Sequence, residues 1–209
     1  MKTLKIHNTL GNRLEEFSPI DPSNIRVYAC GPTVYNYAHI GNARMAVVND
    51  LLIRFLKTLY PKVTYVSNIT DIDDKIIAAS QENKISIKEL TEKYTKIYNE
   101  DMSILGVKQP DIQPKATDYI KEMINLIEKL IKNNFAYEKD GHVLFHVPSF
   151  KNYGMLSGRN RDEQITGSRV EVAPYKKDPT DFVLWKPSPS PLPGWESPWG
   201  LGRAGWDLE

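Results

Sequence analysis

A single cysteine, Cys30, is the only thiol in the 209 residues. That excludes an internal disulfide framework and fits a reducing compartment. Net charge is nearly absent too: 27 Lys and Arg stand against 26 Asp and Glu, a formal balance of +1. Such a chain has no global basic field, so contact with nucleic acid must come from a local patch. No run is long and apolar enough for a membrane span or a signal-peptide core, and the first twenty residues carry Glu15 and Glu16. A cytoplasmic protein with no membrane partner is expected. There is no GxGxxG turn, Walker loop, Ser-His-Asp ordering or internal repeat, which leaves dehydrogenases, NTPases, hydrolases and solenoids without support. What is present is globular: 41% of residues are hydrophobic and 25% charged, at a length that allows a sizeable core.

The order of elements points to an α/β fold. Ile25–Cys30 is short and β-branched and ends at Gly31-Pro32, the pattern of a buried strand. From Gly41 to Leu59 apolar residues recur at three- and four-residue spacing, which predicts an amphipathic helix stopped by Pro61. Lys62–Ile69 alternates and reads as a second strand, so the three make a βαβ unit and a parallel sheet. Helices are predicted over Asp73–Asn83, over Ser86–Leu105 with Gly106 as its cap, and over Lys115–Asn133. Phe135–Glu138 and His142–Val147 flank Lys139-Asp140-Gly141, a hairpin signal. The tail holds seven of the fourteen prolines, from Pro174 onward, and all four tryptophans, from Trp185 onward. Disordered linkers are poor in aromatics, so an ordered, packed loop system is expected there.

Candidate chemistry gathers in Val27–Ala43, the longest stretch without Asp, Glu, Lys or Arg. His39 and Asn42 lie three apart at a strand-to-helix junction, where both can face one ligand. Free backbone N–H groups and the helix dipole there favour an anion, and Gly41 lets the backbone approach closely. That describes a phosphate site; the plain alternative is a helix end capped by Asn42 beside a packed histidine. Cys30 at a buried strand end is either a small apolar residue or a thiolate ligand, and zinc needs three or four ligands. His142 and His146 fall on a strand about 13 Å apart and cannot chelate one ion. In Asn68–Lys75, Asp71, Asp73 and Asp74 either bind a cation or cap a helix. Capping suits Asp73 and Asp74, which leaves Thr70 and Asp71 at the strand's carboxyl end, where open parallel sheets bind ligands.

Taken together these segments carry a family resemblance. Cys30-Gly31-Pro32-Thr33-Val34-Tyr35, followed by Tyr37–Arg44, resembles the signature of the cysteinyl-tRNA synthetase family. Val63–Lys75 is similar to that family's second block. Asp181–Lys186, Ser197–Gly200 and Gly205-Trp206 resemble its third.

The resemblance implies a class I synthetase with a Rossmann-like parallel sheet: the first half of the catalytic domain over 1–112, a connective-peptide insertion over 113–200, and the start of the second half over 201–209. It implies activation of L-cysteine by ATP with Mg, then transfer to the 3′ end of tRNA(Cys), by a monomer. His39, Gly41 and Asn42 match the motif that holds ATP phosphates, with Tyr37 beside it, and His39 and Asn42 would be its catalytic donors. Asn42 stands where the motif's name has histidine, and a carboxamide still donates to phosphate. Cys30 matches a ligand of the family's zinc, which binds the substrate thiolate and rejects serine. Gly31, Thr70 and Trp206 match the cysteine pocket.

By the same resemblance the other zinc ligands, the KMSKS loop and the anticodon-binding domain lie beyond Glu209. The 209 residues alone are expected to bind zinc weakly and to charge no tRNA. Two rivals stand beside this reading: a cysteine ligase acting on an amino-sugar, and a noncatalytic tRNA-binding paralogue. Lys151, Arg159, Arg161, Arg169, Lys176 and Lys177 form a basic cluster that could meet the acceptor stem, though interleaved acids equally fit a solvated loop.

Overall fold

The computed structural model describes residues 4–158 and 173–208; Arg159, Arg161 and Arg169 lie outside the described residues. The chain divides into two compact units, Pro19–Tyr119 and a second built from Met1–Ser18 with Ile120–Glu209.

In the Pro19–Tyr119 unit, β3 (Ile25–Ala29) and β4 (Val63–Ser67) pair in parallel from Ile25 opposite Val63 to Ala29 opposite Ser67. The 20-residue α1 (Ile40–Leu59) connects them, as the βαβ pattern requires. Past the strands a parallel bridge joins Thr33 to Thr70, and two more join Val66 to Ile112 and Ile69 to Lys115. Then come α2 (Asp74–Asn83), capped by Asp73, whose side chain accepts from the Lys75 N–H at 2.8 Å, and α3 (Ile87–Ile104), capped by Ser86. Gly106 follows α3 with φ +77°, the left-handed stop that a side chain would resist. Val34, Ile69, Ile76, Leu90 and Tyr94 form one buried cluster, and Ala46, Tyr98 and Met102 another. The apolar stripe of α1 is wider than what this chain covers: Ala46, Ile53 and Leu56 are buried, while Val48, Leu51, Phe55 and Leu59 are exposed.

The helix predicted from Lys115 begins later. Ala116–Tyr119 forms a 3-10 turn and α4 runs from Ile120 to Lys132. The cause is a tether: the Ala116 N–H donates to the Ile69 carbonyl, and Thr117 donates to Asp71 from its N–H at 3.0 Å and its hydroxyl at 2.6 Å.

In the other unit β1 (Lys5–Asn8) and β2 (Arg13–Glu16) form a hairpin turned by Gly11 and Asn12, both at positive φ. Their short, charged strands show little alternation, so the pairing is not evident from pattern alone. A four-stranded antiparallel sheet, ordered β5-β6-β7-β8, follows α4. Its first two strands, β5 (Ala136–Lys139) and β6 (His142–Phe145), are the predicted hairpin, with Asp140 and Gly141 at φ +54° and +72°. That is the backbone an Asp-Gly turn supplies. Tail residues supply β7 (Phe182–Pro187) and β8 (Gly202–Ala204), so the tail is ordered and also contributes strands. Trp185 is 0% exposed beneath them, whereas Trp206 is 68% exposed and does not serve as core.

A buried carboxylate ties this sheet to its loops. Asp181, 1% exposed, accepts from the Tyr137 hydroxyl at 2.7 Å, the Val147 N–H at 3.0 Å, the Asp178 N–H at 3.1 Å and His146 Nδ1 at 3.2 Å. His146 is therefore engaged, and His142 stacks on Tyr175 with ring centroids 4.0 Å apart. Burial, then the Asp181 carboxylate, pushes the Tyr137 phenol up to about 12. A raised folded value stabilises the protein below the free tyrosine's value and loses that contribution as pH rises through the folded one. Stability is thus expected to fall between about pH 10 and 12, and Tyr137→Phe to flatten that limb in denaturant titrations. An unchanged limb would remove Tyr137 as its source.

Candidate functional site

The charge-poor run forms one wall of a cleft of about 150 Å3 within the Pro19–Tyr119 unit, where Tyr37, His39 and Asn42 meet Lys75 of α2 and Tyr94 and Tyr98 of α3. Parallel pairing of β3 with β4 puts their carboxyl ends side by side, and the loop after β3 runs over that edge into α1. Gly31 makes the close approach possible. Its N–H donates to the Asn68 side-chain oxygen at 2.8 Å, and a Cβ there would lie 1.5 Å from the Asn68 carbonyl oxygen. Thr70, 2% exposed, continues the contact: its N–H donates to the Pro32 carbonyl and its carbonyl accepts from the Val34 N–H.

His39 is the N-cap of α1, with extended φ and ψ. Its Nδ1 accepts from the Gly41 N–H at 3.0 Å, while its own N–H donates to Asn42 Oδ1 at 3.1 Å. This reciprocal lock fixes both side chains. In the neutral imidazole an accepting Nδ1 leaves the proton on Nε2, and an accepting Oδ1 leaves the Asn42 NH2 group as donor. The site therefore offers two oriented donors. Backbone donors contribute less than the sequence implies, because the His39, Gly41, Asn42 and Ala43 N–H groups are all used inside the turn.

The sequence of α1, β4 and this lock matches a known pattern. A family profile described as "tRNA synthetases class I (C) catalytic domain" covers residues 16–209. The chain belongs to this class I tRNA synthetase family. It is 60% identical to "Cysteine--tRNA ligase" of Parvibaculum lavamentivorans over 206 residues, which is 99% of this chain and 44% of that protein. It is 58% identical to "Cysteine--tRNA ligase" of Rhodospirillum rubrum over 207 residues, 99% of this chain and 45% of that protein. The chain spans less than half the length of these curated relatives.

The other residues singled out for this synthetase chain fall as follows. Gly41 lies in the first turn of α1, and Tyr37 packs edge-on against Tyr94 with centroids 5.3 Å apart. Cys30 is exposed rather than buried, because it follows the last paired residue of β3. Trp206 belongs to the other compact unit. Asp73 caps α2, Asp74 lies in its first turn and Asp71, 7% exposed, is held by Thr117. Among the described residues no group of three His, Cys, Asp or Glu could hold a metal ion. One thiolate does not fit zinc by itself. Tyr94 and Tyr98 belong to no motif, and their four-residue spacing on α3 is the one sequence signal that they share a face. No helix among the described residues is long and apolar enough to cross a membrane.

Proposed function

We propose that the protein to which this chain belongs joins L-cysteine to tRNA(Cys) in two steps. The observation that carries the reading is the His39–Asn42 lock, two neutral donors fixed at a helix start in a cleft without carboxylates. In the first step a cysteine carboxylate oxygen attacks the α-phosphorus of ATP, and the bond to the β-phosphate oxygen breaks, releasing pyrophosphate. The nucleophile is already ionised, so no strong base is needed. Positioning and donors for the crowded phosphate charge do the work. His39 Nε2 and the Asn42 NH2 group supply those donors, with Tyr37 and Gly41 beside the nucleotide. In the second step a terminal ribose hydroxyl of the tRNA attacks the acyl carbon, and AMP leaves.

Gly31 and Thr70 line the cysteine pocket in this reading, and Cys30 would be one ligand of zinc, which cannot be held by one thiolate alone. The relatives named cysteine–tRNA ligase support cysteine as substrate. A Rossmann-like sheet is supported by the parallel β3–β4 pair with α1 between them. The apolar stripe that α1 leaves exposed is a surface a larger sheet-and-helix core would cover. The insertion over 113–200, a monomeric state and a cytoplasmic setting belong to the same proposal. Its test is ATP–pyrophosphate exchange by the whole protein, expected to require L-cysteine and to ignore L-serine, followed by product analysis. Exchange with serine, or transfer to an amino-sugar but not to tRNA, would overturn it.

A further inference from the structure

The cleft that holds the His39–Asn42 lock has one permanent charge. Of its lining residues only Lys75 is cationic, and none is a carboxylate. ATP brings three to four negative charges, and neutral donors offset little of that, so an uncompensated ammonium on the wall decides what the cleft attracts. Lys75 is exposed and enters no ion pair among the described residues. Its Nζ lies over the face of Tyr35, 5.5 Å from the ring centroid. A π face steadies an ammonium without neutralising it. Lys75 also borders a second, wider hollow of about 440 Å3 lined with Tyr35, Asn36, Ala78 and Tyr94, with the Glu82 carboxylate on its wall. Lys75 thus lines both spaces, so its ammonium shares the first cleft with His39 and Asn42. The helix carrying Lys75 starts there as well: the Asp73 cap takes the Lys75 N–H, which roots the side chain in the first turn of α2.

We propose that Lys75 is a binding residue for the ATP polyphosphate, taking the β- and γ-phosphate charge while His39 and Asn42 hold the α-phosphate. This rests on the function proposed above. Calorimetric titration of the whole protein with sodium tripolyphosphate, ATP and adenosine, without divalent cation, tests it. Lys75→Ala is expected to weaken tripolyphosphate and ATP about tenfold, the scale of a charge-assisted contact. Adenosine affinity and the melting temperature should stay unchanged. Lys75→Arg should restore most of the loss, because the charge and its reach are kept. Unchanged tripolyphosphate binding in Lys75→Ala, with ATP binding lost in His39→Ala, overturns the role of Lys75 and leaves the ATP site standing. Equal weakening of adenosine and tripolyphosphate also overturns it, because that pattern marks a distorted cleft. If the unaltered whole protein binds neither ATP nor tripolyphosphate, both this inference and the ATP site fall.

Discussion

Asp181→Ala is expected to destabilise the sheet-bearing unit by about 3–5 kcal/mol, the usual cost of emptying one side of a buried polar network. The carboxylate is 1% exposed and receives the Tyr137 hydroxyl, the Val147 and Asp178 N–H groups and the His146 ring. Alanine removes every acceptor at once and leaves the two backbone N–H groups without water. Tyr137 still has the Lys177 N–H, 2.7 Å from its oxygen, but as an acceptor only, so its own proton loses its partner. Asp181→Asn should cost less, because one oxygen survives while the NH2 group turns a donor toward donors. Urea denaturation followed by tryptophan fluorescence reads this directly, since Trp185 is fully buried in β7, the strand that Asp181 immediately precedes. A loss below about 1 kcal/mol in the alanine variant would mean that the network relaxes and carries little.

Gly31→Ala should act at the opposite end of the problem, by adding one atom. The new Cβ would sit 1.5 Å from the Asn68 carbonyl oxygen and 2.7 Å from its carbon. These are backbone atoms held by β4 and by the Thr33–Thr70 bridge, so no flexible side chain can swing aside. The loop from Pro32 to His39 must then lift from the sheet edge, at about 3 kcal/mol, the upper range for overpacking. The same displacement opens the wall of the cleft, so ATP affinity should fall with stability. Equilibrium unfolding and ATP titration of one sample test both together. A variant within about 1 kcal/mol of the parent, with affinity kept, would show that the strand ends can part without cost.

Much of the fold was legible because it depends on local pattern. The parallel pair and its connecting helix follow from two β-branched runs around a helical period, and Asp140-Gly141 made the hairpin readable through its positive φ values. The start of α4 was not legible, because the Asp71–Thr117 tether that delays it joins residues 46 apart. The β1–β2 hairpin and the strands of the tail escaped for a related reason: partners far along the chain, or faces half polar, leave no period to read.

At the site, the identities of Tyr37, His39, Gly41 and Asn42 came from the sequence by itself, and so did the family, through motifs in a fixed order. Only the tertiary structure decided how those residues are used. Folding spends the Gly41, Asn42 and Ala43 N–H groups inside the turn, leaves Nε2 of His39 and the amide of Asn42 as donors, and brings Lys75, Tyr94 and Tyr98 to the same cleft. It also exposes Cys30, which its β-branched neighbours had marked as buried. The physical reason is one of range. Composition and spacing report which groups can bond, whereas the partners that consume or free each group are set by contacts across dozens of residues.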